Sequence, residues 1–118
     1  MFRRVDDAYI LADFSDLHAS KGDRDLSWKT LLESTEEALA TNQLPLALDN
    51  QELLAGELEA NGYDSLAFRW LGEALKTVRM LFQKEIPETL LQELRKRELA
   101  LAESQVELAL RLIPRLPD

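Results

Sequence analysis

The stretch that decides the fold is SLAFRWLGEALKTVRMLFQ, residues 65–83. Its apolar residues recur at helical spacing in two adjacent stripes, which together cover an arc of roughly 200°. One stripe contains Phe68, Leu71, Leu75, Val78 and Phe82, and the other contains Ala67, Trp70, Ala74 and Leu81. An arc this wide must be covered from two sides. We therefore expect this segment to be the central helix of an all-α protein.

The residues before this stretch predict a second helix paired with it. In DNQELLAGELEANG, Asp49 is placed to cap a helix, and the Asn-Gly pair at the end is typical of a helix terminus. Asp64 is then placed to cap the central helix. Because only about three residues separate the two helices, we expect an antiparallel hairpin over residues 50–83.

Two further segments are expected before the hairpin. SWKTLLESTEEALAT predicts a helix capped by Ser27 or Asp25, followed by a loop, NQLPLALD, in which Pro45 prevents helix continuation. Residues 5–18 also favour a helix, although a lone extended strand is the alternative.

A long helix is expected at the C-terminal end of the chain. Pro87 is suited to a helix start, and no Gly or Pro follows until Pro114. The sequence therefore predicts a helix that ends near Ile113. Together these segments predict an all-α, about five-helix bundle that forms a single domain over residues 1–118.

Composition excludes several classes of protein. The chain has 118 residues and no cysteine, which excludes disulfides, thiolate nucleophiles and cysteine-ligated metals. It has no apolar run near the roughly 20 residues that span a bilayer. We expect a cytoplasmic protein that binds no cofactor and no membrane.

The net charge of −8 is concentrated in the middle of the chain, where residues 28–64 hold one Lys and eight carboxylates. Such a segment repels nucleic-acid phosphates and suits a partner protein with a basic surface. The acidic residues expected to bind this partner are Glu33, Glu36 and Glu37. The alternative is that they only keep a helical surface solvated.

The stretch DFSDLHASKGD, residues 13–23, resembles the start of the metal-ligand set of metallophosphoesterases, Asp-x-His followed by Gly-Asp. Two divalent metals need several carboxylates and imidazoles that converge on one point. The chain has a single histidine, His18, and cannot complete this set. We therefore expect no metal site.

NGYDSLAFRWLGEAL resembles the phosphopantetheine attachment motif of acyl carrier proteins, Gly-x-Asp-Ser-Leu at the start of a helix. The resemblance implies that Ser65 carries the prosthetic arm and that Asp64 is the acidic residue before it. In that family a long loop precedes the serine, and the second half forms two short helices. Neither feature is predicted here. The alternative is that Asp64 is only a helix cap.

The leading functional prediction is a protein that is not an enzyme. Catalysis by side chains needs a base of tuned pKa beside a reacting group, and no such arrangement is evident in the sequence. We expect a protein–protein interaction module, such as a small adaptor, inhibitor, immunity or chaperone-like protein. The acyl carrier is the alternative.

The C-terminal helix has more apolar residues than one buried face needs. Leu99, Val106 and Leu110 widen its apolar arc to roughly 200°, and we expect part of this arc to remain exposed and to bind a partner. A homodimer formed through this helix is one expectation. The alternative is that residues 5–18 cover the same surface within one chain.

Overall fold

The computed structural model of the protein describes residues 24–113. Over this range the chain is all-α and forms α1 (Arg24–Ala40), α2 (Leu44–Ala60), α3 (Asp64–Phe82) and α4 (Glu88–Leu112). The all-α prediction is confirmed, as is the long C-terminal helix of 25 residues. The count of about five helices is wrong for the described residues, which hold four. The remaining predicted element, at residues 5–18, lies outside them.

The chain divides into two compact units, and the boundary between Asn50 and Gln51 falls inside α2. In the first unit, α1 packs antiparallel to the first turns of α2. Its buried apolar side chains are Leu31, Ala38, Leu44, Ala47 and Leu48. Asn50 Nδ2 donates a hydrogen bond of 2.9 Å to Ser34 Oγ, and both residues are buried. This bond satisfies two polar groups that burial would otherwise destabilise.

Each of the first two helices ends in a three-residue turn built around a left-handed residue. Asn42 has φ 59° at the end of α1, and Gly62 has φ 85° at the end of α2. In each turn the next residue donates its backbone N–H to a carbonyl five positions earlier, at 2.7 and 2.9 Å. This bond is typical of a Schellman motif, and it occupies a carbonyl that the helix end would leave without a partner.

The start of α2 differs from the sequence prediction. The helix begins at Leu44 and includes Pro45, so the loop predicted for NQLPLALD and the cap predicted at Asp49 are both wrong. The hairpin consequently begins before residue 50. Proline is tolerated in a first turn because the N–H groups there have no acceptor within the helix.

Two other predicted caps are also misplaced. Since α1 begins at Arg24, Ser27 and Asp25 both lie inside it rather than before it. Tyr63 occupies the cap position of α3, and Asp64 is the first helical residue. A carboxylate in the first turn still interacts favourably with the helix dipole. This preference explains why the sequence around Asp64 suggested a cap.

In the second unit, the last turns of α2 pack with α3 and α4. The buried apolar residues of this unit are Leu54, Ala55, Leu58, Ala67, Leu71, Ala74, Leu75, Val78, Leu81, Leu94, Leu101 and Leu108. On α3 they follow the predicted arc, although Phe68 and Trp70 at its edges and Phe82 at the end of the helix are only half-buried. Thr77 Oγ1 donates 2.7 Å to Gln51 Oε1, which places a buried polar bond between α2 and α3.

Candidate interaction surface

Two ion pairs join α4 to α2 in the second unit. Arg97 Nε donates to Glu52 Oε1 at 2.9 Å, and its Nη2 lies 2.9 Å from the same oxygen. Further along both helices, Arg111 Nη2 donates to Glu59 Oε1. The hydrogen bond to Glu59 raises the pKa of Arg111 above its ordinary value. The earlier glutamate on α2 pairs with the earlier arginine on α4, and the later glutamate pairs with the later arginine. The two helices therefore run in the same direction.

The inner face of α4 is defined by its contact with α3. Leu94, Leu101 and Leu108 are buried at intervals of seven residues. Beside them, a Cβ atom added at Gly72 would lie 3.2 Å from Gln105 Nε2, so the glycine leaves room for the Gln105 side chain between the two helices. These contacts determine which side of α4 faces outward.

The opposite face of α4 carries four exposed large apolar side chains, which we call the outer stripe. Leu99, Val106, Leu110 and Ile113 are 61%, 59%, 62% and 58% exposed, respectively. At 100° per residue they lie within roughly 60° of one another on the helix. The first three are the apolar partner-binding residues predicted from the sequence, whereas Ile113 was expected only as the end of the helix.

One edge of the outer stripe is acidic. Glu103 and Glu107 are exposed one turn apart, and with Ala102 and Val106 they line a shallow depression of about 380 Å³. Between residues 98 and 110 the chain has three glutamates and no Lys or Arg. The outer stripe is therefore an apolar surface with a negative edge.

A second cavity in this unit, of about 260 Å³, lies where α2 faces α4. The small residues Gly56, Ala100 and Ser104 form part of its wall. Its charged residues are Glu52, Glu59 and Arg97, and all three take part in the ion pairs described above. Because Arg97 pairs with Glu52 within the lining and Glu59 pairs with Arg111 beside it, the cavity offers little to a charged ligand.

The predicted acidic residues lie on α1, in the first unit. Glu33 and Glu36 are exposed, whereas Glu37 is half-buried. The three therefore do not form one exposed acidic face, although Glu33 and Glu36 are both available to a partner.

The residues of the carrier resemblance lie at the start of α3. Ser65 is exposed in the first turn, and Asp64 is buried. Two features differ from the carrier pattern: α2 continues to Ala60, which leaves no long loop before the serine, and α4 is one continuous helix.

Residues 13–23, which resemble a metal-ligand set, lie outside the described residues. Within residues 24–113, no group of three or more His, Asp or Glu residues is arranged to hold a metal ion. None of the four described helices is both long and apolar enough to cross a membrane.

Comparisons of the chain with protein-family models, with curated proteins and with solved structures find no match.

Proposed function

We propose that this protein is a non-catalytic interaction module that binds another protein through the outer stripe of α4. The observation that supports this proposal is the exposure of Leu99, Val106, Leu110 and Ile113 side by side on one helical face. Single exposed apolar residues are common, but contiguous ones on a rigid element mark interaction surfaces. An adaptor, inhibitor, immunity or chaperone-like protein would act through such a surface.

The size of the outer stripe indicates what kind of binding it supports. Full burial of a large aliphatic side chain contributes about 1.5–3 kcal/mol. About three-fifths of each of the four side chains is exposed, so a partner that covers them gains roughly 4–7 kcal/mol. Loss of translational and rotational freedom on association costs about 4–15 kcal/mol. The apolar contacts alone therefore give weak binding, and polar contacts beside them must supply the rest.

The acyl carrier is the second candidate. The observation in its favour is that Ser65 is exposed in the first turn of α3, where an enzyme that attaches a prosthetic group could reach its hydroxyl. The short turn before Asp64 and the continuous α4 count against it. It therefore ranks below the interaction module.

The experiment for the leading proposal is site-specific photo-crosslinking in the cell that produces the protein. A benzoylphenylalanine at Val106 is compared with one at Met80, which is 44% exposed on α3. We expect a discrete protein adduct from position 106 and none from position 80. The adduct should disappear when Leu99 and Leu110 are both changed to Ser. No adduct at position 106, or equal yields at the two positions, would contradict the proposal.

A further inference from the structure

We infer that the outer stripe of α4 binds a basic amphipathic helix, whose apolar side chains cover Val106 and Leu110 and whose Lys or Arg residues face Glu103 and Glu107. The inference rests on the proposed function and adds the chemistry of the partner. It locates the acidic recognition element on α4 rather than on α1, where the sequence pattern suggested it.

Charge complementarity gives the first argument. The edge of the outer stripe presents Glu103 and Glu107, and the nearest basic residues on either side are already paired, Arg97 with Glu52 and Arg111 with Glu59. Two more basic residues, Arg95 and Lys96, are exposed about two turns before Glu103, on the N-terminal side of Leu99. A partner that covers the outer stripe must place its own side chains beside two exposed carboxylates. Lys or Arg at these positions gains attraction, whereas Asp or Glu is repelled.

The shape of the surface gives the second argument. From Leu99 to Ile113 the outer stripe extends about 21 Å along a helix with a rise of 1.5 Å per residue, which matches roughly four turns of a second helix. The depression between Ala102 and Val106 can accept one apolar side chain from the partner, because alanine fills little of the space there. Apolar anchors spaced along one helical face are the usual mode of helix-to-helix recognition.

A second copy of this chain fits the surface less well. In an antiparallel pair, the best apolar register places Leu99 opposite Ile113 of the second copy and centres the two-fold axis near Val106. In this register Glu103 of each copy lies within about one turn of Glu107 of the other, on the same edge, because flanking residues of antiparallel helices face one another. Four carboxylates then repel across the interface.

Shifting the register does not solve the problem for a second copy. If the two helices slide until Lys96 faces Glu107 of the other copy, the charges attract. Val106 is then opposite Arg97 of the other copy, and the apolar residues are no longer aligned. The favourable apolar register and the favourable charge register conflict, so a basic partner fits the outer stripe better than a second copy does.

The test uses two synthetic 18-residue peptides as probes. One contains leucine and lysine, with leucines at helical i, i+3, i+4 and i+7 spacing, and the other has glutamate in place of every lysine. Fluorescence anisotropy measures binding of each peptide to the parent protein and to the double variant Glu103→Lys/Glu107→Lys. The matched control is Glu33→Lys/Glu36→Lys, which changes the net charge by the same amount on α1.

We expect the Leu/Lys peptide to bind the parent protein and to bind the α4 double variant at least about tenfold more weakly, since two attractions become repulsions. The α1 control should weaken binding less than about threefold, through the change in net charge alone. The Leu/Glu peptide should show the reverse preference and bind only the α4 variant. Val106→Ser should remove Leu/Lys binding without adding charge.

Several results would overturn the inference. No binding of the Leu/Lys peptide, equal binding of both peptides, or equal weakening by the two double variants would exclude a basic helix as the occupant. A parent dimer in light scattering that Val106→Ser dissociates would make the occupant a second copy and overturn the inference, while the outer stripe would remain a protein-binding surface. Leu/Lys binding that Val106→Ser leaves unchanged, in a monomeric protein, would also contradict the proposed function.

Discussion

Leu108 and Leu110 lie two residues apart on α4 and point in opposite directions. Leu108 is fully buried and Leu110 is 62% exposed, so the same change to alanine should have very different effects. At position 108 the lost transfer free energy and the cavity left behind should cost about 2–5 kcal/mol. At position 110 only two-fifths of the side chain is removed from water, so the cost should be about 1 kcal/mol or less.

Urea unfolding followed by circular dichroism measures this difference. With a slope of about 2 kcal/mol per molar urea, Leu108→Ala should lower the midpoint by roughly 1–2.5 M, and Leu110→Ala by about 0.5 M or less. Leu101→Ala serves as a second buried control on the same face, since Leu101 is 6% exposed. Equal costs at positions 108 and 110, or a larger cost at position 110, would mean that α4 is rotated and that the outer stripe faces inward.

Three other predictions follow from the described residues. Gly56→Ala should stabilise the protein by about 0.5–1 kcal/mol, because Gly56 lies in α2 with open space around the added Cβ. Gly62→Ala should destabilise it by about 1–2 kcal/mol, because φ is 85° at this residue. In urea unfolding, the two changes should therefore shift the midpoint in opposite directions. Thr77→Val should cost about 1–3 kcal/mol, since it removes the buried hydroxyl that donates to Gln51 Oε1, and an unchanged midpoint would refute this role. Ser65→Ala should leave partner binding unchanged. Co-expression with a broad-specificity phosphopantetheinyl transferase should add no mass to the parent protein. An added phosphopantetheine that Ser65→Ala abolishes would establish the carrier alternative.

The helices were predictable where apolar spacing is long and regular. The ends of α3 and α4 agree with the sequence prediction to within about one residue, because helical periodicity sums over many positions. The start of α2 was not predictable by the same reasoning. Pro45 suggested a loop, but proline is unfavourable only in a helix interior, and the sequence does not show which turn of the helix it occupies.

The arrangement of the candidate surface depends on long-range contacts that the sequence does not specify. The ion pairs of Arg97 with Glu52 and of Arg111 with Glu59 join residues 45 and 52 positions apart. With 22 acidic and 14 basic residues in the chain, local spacing cannot select these two pairs. The sequence showed that the C-terminal helix has excess apolar surface. The close approach of Gly72 to Gln105 and the burial of Leu101 decide which part of that surface faces outward.

The most direct test of partner docking on α4 is methyl-detected NMR on protein labelled at valine. Val106 is 59% exposed in the outer stripe, and Val78 is fully buried on α3, so one sample contains both the reporter and its control. During titration with the Leu/Lys peptide, we expect the Val106 methyl resonances to shift until the surface is saturated, while those of Val78 stay in place. Val106 resonances that do not move at a peptide concentration that saturates binding would contradict the assignment of the outer stripe as the docking surface.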